Sequence, residues 1–197
     1  MLRAKPPTMT ADEFLVWNLS QDEKYELVEG VPVPLHGQQS GATRSHDRIV
    51  VNLIRRLGNR LAGGSCTPST SDQAVRTAIR QIRRPDVTIE CGDAAANALE
   101  VREPVAVFEV ISPSNRPVEI VRKVEEYKRH PAIRHIVLIE PAIVSVTRLS
   151  READGSWSDT THSDLTDTLS IDPPGVELPL TEIYEGLSPA DDAMSET

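Results

Sequence analysis

Between residues 45 and 62, Ile49, Val50, Leu53, Ile54, Leu57 and Leu61 recur every three or four positions, the spacing of one apolar helix face. Gly63-Gly64 then supplies the stop. The opposite stripe of this predicted helix is Arg48, Asn52, Arg55 and Asn59. A second helical pattern covers 118–130, and Thr10-Ala-Asp-Glu13 is a capping box that opens a short helix ending near Leu19. Elsewhere the pattern is that of strands. Residues 25–33 read as a hairpin turning at Glu29-Gly30, and a strand follows near 72–77. Two stronger strands occupy 85–90 and 105–111, joined by a loop holding Gly92 and an alanine-rich run. Ser112-Pro113-Ser114-Asn115 ends the second, because proline cannot continue a ladder. A strand pair at 135–140 and 143–149 turns around Pro141. The Gly/Gln/Ser stretch 37–43 is expected to be a mobile connection, and beyond Gly155 short β pieces alternate with prolines.

This order predicts an α/β chain of the α+β kind, a central mixed β-sheet flanked by helices, with an N-terminal helix and hairpin. It is expected to form a single domain over 1–187, with a core at about 10–150, a β-rich extension at 151–187 and a disordered tail at 188–197. No apolar run approaches the ~20 residues of a membrane span. Met1 to Met9 carries charge without an apolar stretch, so no secretory signal is visible and a cytoplasmic location is expected. Cys66 and Cys91 lack CxxC spacing and are expected to be two reduced thiols.

Charge changes the picture more than composition does. The formal net charge is −9, which if evenly spread would argue against nucleic acid as a partner. Residues 150–197, however, hold twelve acids and the single base Arg151, while 44–84 hold nine arginines against Asp47 and Asp72. The middle of the chain is a basic stripe and the acidity is C-terminal. An acidic end serves solubility or masks a basic cleft; both readings stand here.

Two acids occupy positions where charge is expensive. Asp86 and Glu109 each sit within an apolar strand-like run. Side chains alternate along a strand, so Asp86, Thr88 and Glu90 share one face, as do Val107, Glu109 and Ile111. If the two runs pair as a hairpin, Asp86 falls opposite residue 108 or 109 and the carboxylates become cross-strand neighbours. Two carboxylates so close repel unless one protonates or a cation lies between them. A hard divalent ion with oxygen ligands fits, and no thiolate or histidine pair suggests zinc. The other reading is that each acid meets an arginine, Arg83 or Arg84.

These residues carry a likeness. Arg84-Pro-Asp86-Val, then Pro104-Val-Ala-Val-Phe-Glu109-Val-Ile-Ser-Pro-Ser-Asn, then Lys123 and Tyr127 resemble the Uma-two family of the PD-(D/E)XK, restriction-endonuclease-like superfamily. The likeness extends to Tyr25-Glu26-Leu-Val-Glu-Gly30, the helix of His46 and the 136–141 strand, about residues 10 to 150 in all. It implies a restriction-endonuclease-like core and a Mg²⁺- or Mn²⁺-dependent endonuclease acting on DNA. Asp86 and Glu109 would be metal ligands, with the Val110 carbonyl a third. The superfamily's lysine stands two residues past the acid, a position held here by Ile111. In this branch a lysine on the next helix, Lys123, replaces it.

His46 matches the family's histidine, touching a phosphate or a metal-bound water, and Glu26 offers an outer carboxylate. Other readings stand beside these: Glu119 and Lys123 suit a surface i,i+4 pair worth ~0.2–0.5 kcal/mol, His46 suits a structural role at a helix start, and Glu26 a paired strand glutamate. Arg48, Asn52, Arg55 and Asn59, with Arg84 and the other arginines of 76–84, would hold the phosphate backbone, or the helix stripe is simply a wet face. His36, His130, His135 and His162 read as surface or structural. A homodimer is expected from the need to cut two strands. The alternative is a catalytically inactive nuclease-fold binding or assembly module whose acids persist as ion pairs.

Overall fold

The structure is a computed structural model that describes residues 8–35, 43–93, 95–111 and 117–189. The connection through residue 42, His36, the 112–115 stop and the tail from 190 lie outside the described residues. In chain order the elements begin α1 (Ala11–Asn18), β1 (Tyr25–Val28), β2 (Val31–Pro34), α2 (Arg44–Leu61), β3 (Cys66–Thr70), β4 (Ala74–Ala78) and β5 (Gln81–Arg83). There follow β6 (Val87–Cys91), β7 (Glu100–Val101), β8 (Pro104–Val110), α3 (Pro117–Arg129), β9 (His135–Glu140) and β10 (Ser145–Arg151). The chain closes with β11 (Trp157–His162), β12 (Thr168–Ile171), β13 (Val176–Pro179) and the single turn α4 (Leu180–Ile183).

The main sheet has the order β11-β10-β9-β8-β6-β3, in which only β8 and β9 run parallel. Parallel neighbours need a crossover, and α3 provides it. Helix α2 lays Ile49, Leu53 and Leu57 on one sheet face against Val87, Ile89, Phe108 and Val110. On the other face Val124 and Tyr127 of α3 meet Val107, Ile136 and Ile133. The expected mixed sheet with flanking helices is therefore present.

The N-terminal part builds a second sheet, β2-β1-β5-β4-β7. Thr10 and Glu13 form the capping box foreseen for α1, and Phe14 and Leu15 bury against Leu27, Ala74 and Ile82. The β1–β2 turn has φ 52° at Glu29 and 81° at Gly30, the positive pair a tight two-residue hairpin requires. At Gly30 a Cβ would also lie 3.1 Å from the Met9 carbonyl oxygen.

Three features depart from expectation. Strands β3 and β5 were not legible: β3 contains Pro68 and β5 has only three residues. The cysteines are not reduced thiols but a disulfide. The physical reason is β3 itself, whose antiparallel register on β6 sets Cys66 directly opposite Cys91. Third, the acidic extension is integral to the core. Leu169, Ile171, Leu178, Leu180 and Ile183 are buried in the same cluster as α2, each such side chain contributing roughly 1.5–3 kcal/mol. Among the described residues no helix is long and apolar enough to cross a membrane.

Candidate active site

The register that matters is β6 on β8. Val87 pairs with Phe108 and Thr88 with Val107, so Asp86, one step before β6, comes to the position facing Glu109 on the α3 side of the sheet. Strand β6 ends here because Pro85 precedes Asp86 and has no N–H for the ladder. The Val110 N–H, with no β6 carbonyl to pair with, donates instead to Asp86 Oδ2 at 2.7 Å. The adjacent Ile111 N–H points the opposite way, to the Ile139 carbonyl of β9. A strand residue turns its N–H and C=O to the same neighbour, which sets the Val110 carbonyl on the Asp86 side. Asp86 Oδ1 accepts no hydrogen bond from a described residue.

Both helices reach this point. From the first turn of α2, His46 Nε2 lies 3.4 Å from Asp86 Oδ2. Thr43 caps α2 by accepting the His46 N–H, which fixes that turn. Burial draws the imidazole pKa down, but Asp86, helped by Glu109 and Asp47, raises it above the ordinary value. From α3, Lys123 Nζ sits 3.0 and 3.1 Å from the two Glu109 oxygens. One turn on, the Tyr127 hydroxyl donates to Glu109 Oε1 at 2.6 Å. Lysine and tyrosine four residues apart share a helix face, and that face is turned to β8. Lys123 thus joins Glu109 and not Glu119.

Burial is the strongest influence on Glu109 and pushes its carboxyl up; Lys123 and Tyr127 oppose this and Asp86 adds to it. Burial acts downward on Lys123, yet Glu109, Glu26 and Asp86 together raise it, so it remains an ammonium. Behind it stands Glu26, 1% exposed, 3.4 Å from Lys123 Nζ, accepting from Arg83 Nη1 at 2.8 Å and the Arg84 N–H at 3.1 Å. Although burial favours its neutral form, Lys123 and Arg83 hold Glu26 below the usual carboxylate range. Arg83 forks onto Glu126 through Nε at 2.6 Å and Nη2 at 2.8 Å.

Of the two acids and the arginines proposed to neutralise them, then, neither Asp86 nor Glu109 meets Arg83 or Arg84. The α3 side instead sets four carboxylates, Glu26, Asp86, Glu109 and Glu126, around the buried Arg83 and Lys123, with Arg122 also on Glu126 and His46 on Asp86. The facing carboxylates, the Val110 carbonyl and an Asp86 Oδ1 that accepts no hydrogen bond from a described residue suit one hard divalent ion. Among the described residues no three His, Cys, Asp or Glu side chains cluster as a ready cage. Two carboxylates completed by water and substrate oxygens is the way Mg²⁺ is usually held. A cavity of about 10 Å³, room for one water, lies beside Glu109 and is lined by Lys123, Glu119 and Leu138.

The nucleic-acid candidates scatter. Arg48 is exposed on α2 and makes no ion pair with a described residue. Asn52 is turned inward, 2% exposed, donating to the Ile183 and Glu185 carbonyls at 3.0 Å each. Arg55 and Arg56 pair with Glu185, and Arg60 with Glu182. Arg84 is 7% exposed and spent on the Tyr25, Ser71 and Asp72 carbonyls, while Arg76 pairs with Asp12 and Glu100. Asn52 and Arg84 thus satisfy carbonyls left over at the end of α4, on β1 and in the 71–72 turn. Sequence reading gave no chemical role to Tyr127 or Glu126, and placed Arg83 beside the two acids or on the phosphate backbone, not on Glu26 and Glu126. Only the i,i+4 spacing of Lys123 and Tyr127 could have signalled the first; Arg83 and Glu126 meet across 43 residues.

Residues 11–181 match the family model Uma2, described as "Putative restriction endonuclease". Two proteins of Synechocystis sp. are similar in sequence. Uncharacterized protein slr1290 is 26% identical over 92% of this chain and 94% of its own length. Uncharacterized protein sll1609 is 24% identical over 80% and 89%. In structure the chain resembles a "putative nuclease" of DUF820 from Anabaena variabilis, with TM-score 0.68, 13% identity, and 89% and 97% of the two chains covered. That likeness gives the fold a counterpart, and the family match covers the sheet, both helices and the acidic extension together: the chain belongs to the Uma2 family.

Proposed function

We propose that this protein is a divalent-metal-dependent endonuclease that hydrolyses phosphodiester bonds in DNA. The observation that carries the reading is the meeting of Asp86 and Glu109 at one sheet end with the Lys123 ammonium on Glu109. Asp86, Glu109 and the Val110 carbonyl would hold Mg²⁺ or Mn²⁺. Bound there, the ion supplies Lewis acidity toward a phosphoryl oxygen and lowers the pKa of a coordinated water.

The protein's own groups divide the remaining work. Lys123 stays protonated, so it acts as a donor and a positive charge, not as a base; it orients the attacking water or neutralises charge on the phosphorane. Tyr127 and the strand register fix the Glu109 carboxylate. His46, raised toward its charged form by Asp86, offers Nε2 as a donor to a phosphate oxygen. Arg48 lies two residues beyond His46 on exposed α2 surface and supports the duplex backbone without reading sequence. Two copies of the chain would present one site to each strand.

The test is conversion of supercoiled plasmid by purified protein with Mg²⁺ or Mn²⁺, beside Asp86→Asn, Glu109→Gln and Lys123→Met. Metal-dependent nicking that all three substitutions abolish is the expected result. Nicking that survives Glu109→Gln removes this site from the reaction, and no nicking with any duplex or divalent ion favours a binding module.

A further inference from the structure

Lys123 stands between two carboxylates that are not equivalent. Glu109 faces Asp86 and lies at the edge of the 10 Å³ cavity, while Glu26 lies deeper, its side chain 2% exposed. Both Glu26 oxygens already have partners. Its Oε2 is held by Arg83 Nη1 and its Oε1 by the Arg84 N–H. Arg83 is locked in turn by its two bonds to Glu126, and Glu126 is fastened by Gln81 Nε2 at 3.0 Å and Arg122 Nε at 3.2 Å. The chain Glu126–Arg83–Glu26 is a rigid buried strut that ends 3.4 Å from Lys123 Nζ.

Lys123 Nζ now covers both Glu109 oxygens, and Tyr127 occupies one of them as well. A divalent ion on Glu109 must share the lone pairs that the ammonium holds and repels that ammonium besides. Among the described residues Glu26 is the other carboxylate within reach of Nζ. We infer that Glu26, fastened by Arg83, is a positioning residue that receives the Lys123 ammonium when a divalent ion takes Glu109. It thereby keeps Lys123 beside the reaction instead of on the metal ligand. The inference rests on the metal-dependent reading above. In this account Glu26 has a counter-ion role: it lowers the energy needed to part Lys123 from Glu109 and fixes where the charge goes afterwards.

A double-mutant cycle on the full-length chain tests it, with Mn²⁺ affinity measured by calorimetry for wild type, Glu26→Gln, Lys123→Met and the pair. Removing an outer partner of a ligand shell costs roughly 10–100-fold in metal affinity. The expected loss on Glu26→Gln is about tenfold with Lys123 present and about threefold or less once residue 123 is Met. A loss equal in both backgrounds is a plain field effect of one carboxylate and overturns the inference, as does no loss in either. Should Glu26→Gln fail to melt cooperatively, crystals of the wild type with and without Mn²⁺ decide. Nζ within hydrogen-bond distance of Glu26 and off Glu109 in the loaded form is expected; Nζ still on Glu109 overturns it. A wild type that binds no Mn²⁺ takes down the metal reading and this inference together, whereas an additive cycle leaves the metal reading standing.

Discussion

Tyr127 donates its hydroxyl to Glu109 Oε1 across 2.6 Å from a position with no exposure to solvent. Burial and the adjacent carboxylates push the phenol well above its ordinary pKa, so the donor stays protonated. The bond has a charged acceptor, the class in which one partner's removal costs roughly 1.5–3 kcal/mol. Tyr127→Phe keeps the ring in the core and removes only the donor. We expect it to lower stability by about 1–3 kcal/mol, read as a reduced urea midpoint at unchanged m-value, and to weaken nicking. A midpoint within error of wild type would mean that Glu109 finds another donor there.

Ligand linkage offers a test of the two-carboxylate site that does not depend on finding the substrate. An ion bound by the folded state alone stabilises it by about 2.7 kcal/mol at a hundred times its dissociation constant. Mn²⁺ or Mg²⁺ should therefore raise the Tm in proportion to the logarithm of its concentration. Asp86→Asn should abolish that rise while changing the ion-free Tm little, because Asn keeps an acceptor for the Val110 N–H. A Tm that ignores divalent ions in the wild type, under conditions where it melts reversibly, speaks for structural ion pairs only.

Much of this was legible because local pattern and tertiary use agree. Ile49, Leu53 and Leu57 announce α2, and Thr10 with Glu13 announces α1, since caps and apolar periodicity are local properties. Asp86 and Glu109 stood out because an acid within an apolar run conflicts with burial. The residues that could not be read are those whose partners come from far along the chain. Asn52 looked like a wet-face residue, and nothing near it in sequence signals the Ile183 and Glu185 carbonyls 131 and 133 positions away. Arg84 likewise looks like a phosphate contact until β1 and the 71–72 turn bring three carbonyls to it. Pairing of Cys66 with Cys91 depended on β3, a strand with little pattern of its own.

That contrast on α2 separates two kinds of substitution. Arg48→Ala removes an exposed cation, so it should weaken duplex binding uniformly across sequences and reduce the salt slope by about one, with unchanged stability. Asn52→Ala should do the reverse. It leaves two inward carbonyls unpartnered at roughly 1–3 kcal/mol apiece and lowers the Tm, while duplex affinity of the folded fraction stays as in wild type. Fluorescence anisotropy across a salt series, beside thermal melts, reads both. Affinity lost by Asn52→Ala in the folded protein would return that residue to the DNA surface.

The disulfide closes a loop between residues 25 positions apart. On the chain-entropy view a loop of that size gives roughly 2–4 kcal/mol. Reducing agent, or the paired change Cys66→Ser with Cys91→Ser, should lower the urea midpoint by the corresponding amount. Asp86 and Glu109 sit at the opposite end of β6 from Cys91, so divalent-ion binding should persist in the reduced protein. Loss of ion binding on reduction would show that the β3–β6 pairing also sets the site's register.

His135 gives the pH dependence a definite sign. It is 6% exposed, with Nε2 2.9 Å from the Asp172 carbonyl and Nδ1 3.2 Å from Ser150 Oγ. A carbonyl only accepts, so Nε2 carries the proton and Nδ1 accepts from the serine. Burial, then the charges of Arg148 and Arg134, hold the folded pKa below the ordinary 6.5 against the pull of Asp172. The unfolded chain therefore binds a proton here before the folded chain does. The contribution is fully present above pH 6.5 and is lost as pH falls from there through the lowered folded value, at no more than about 1.4 kcal/mol per pH unit. His130 is displaced the same way by burial, whereas His46 is displaced upward and acts in the opposite sense. A single-site comparison isolates the effect: His135→Leu lacks the titration but keeps the other two. The stability gap between wild type and this variant should narrow between pH 7.5 and 5 in urea melts. A gap that stays constant over that range would mean His135 titrates alike in the folded and unfolded chain.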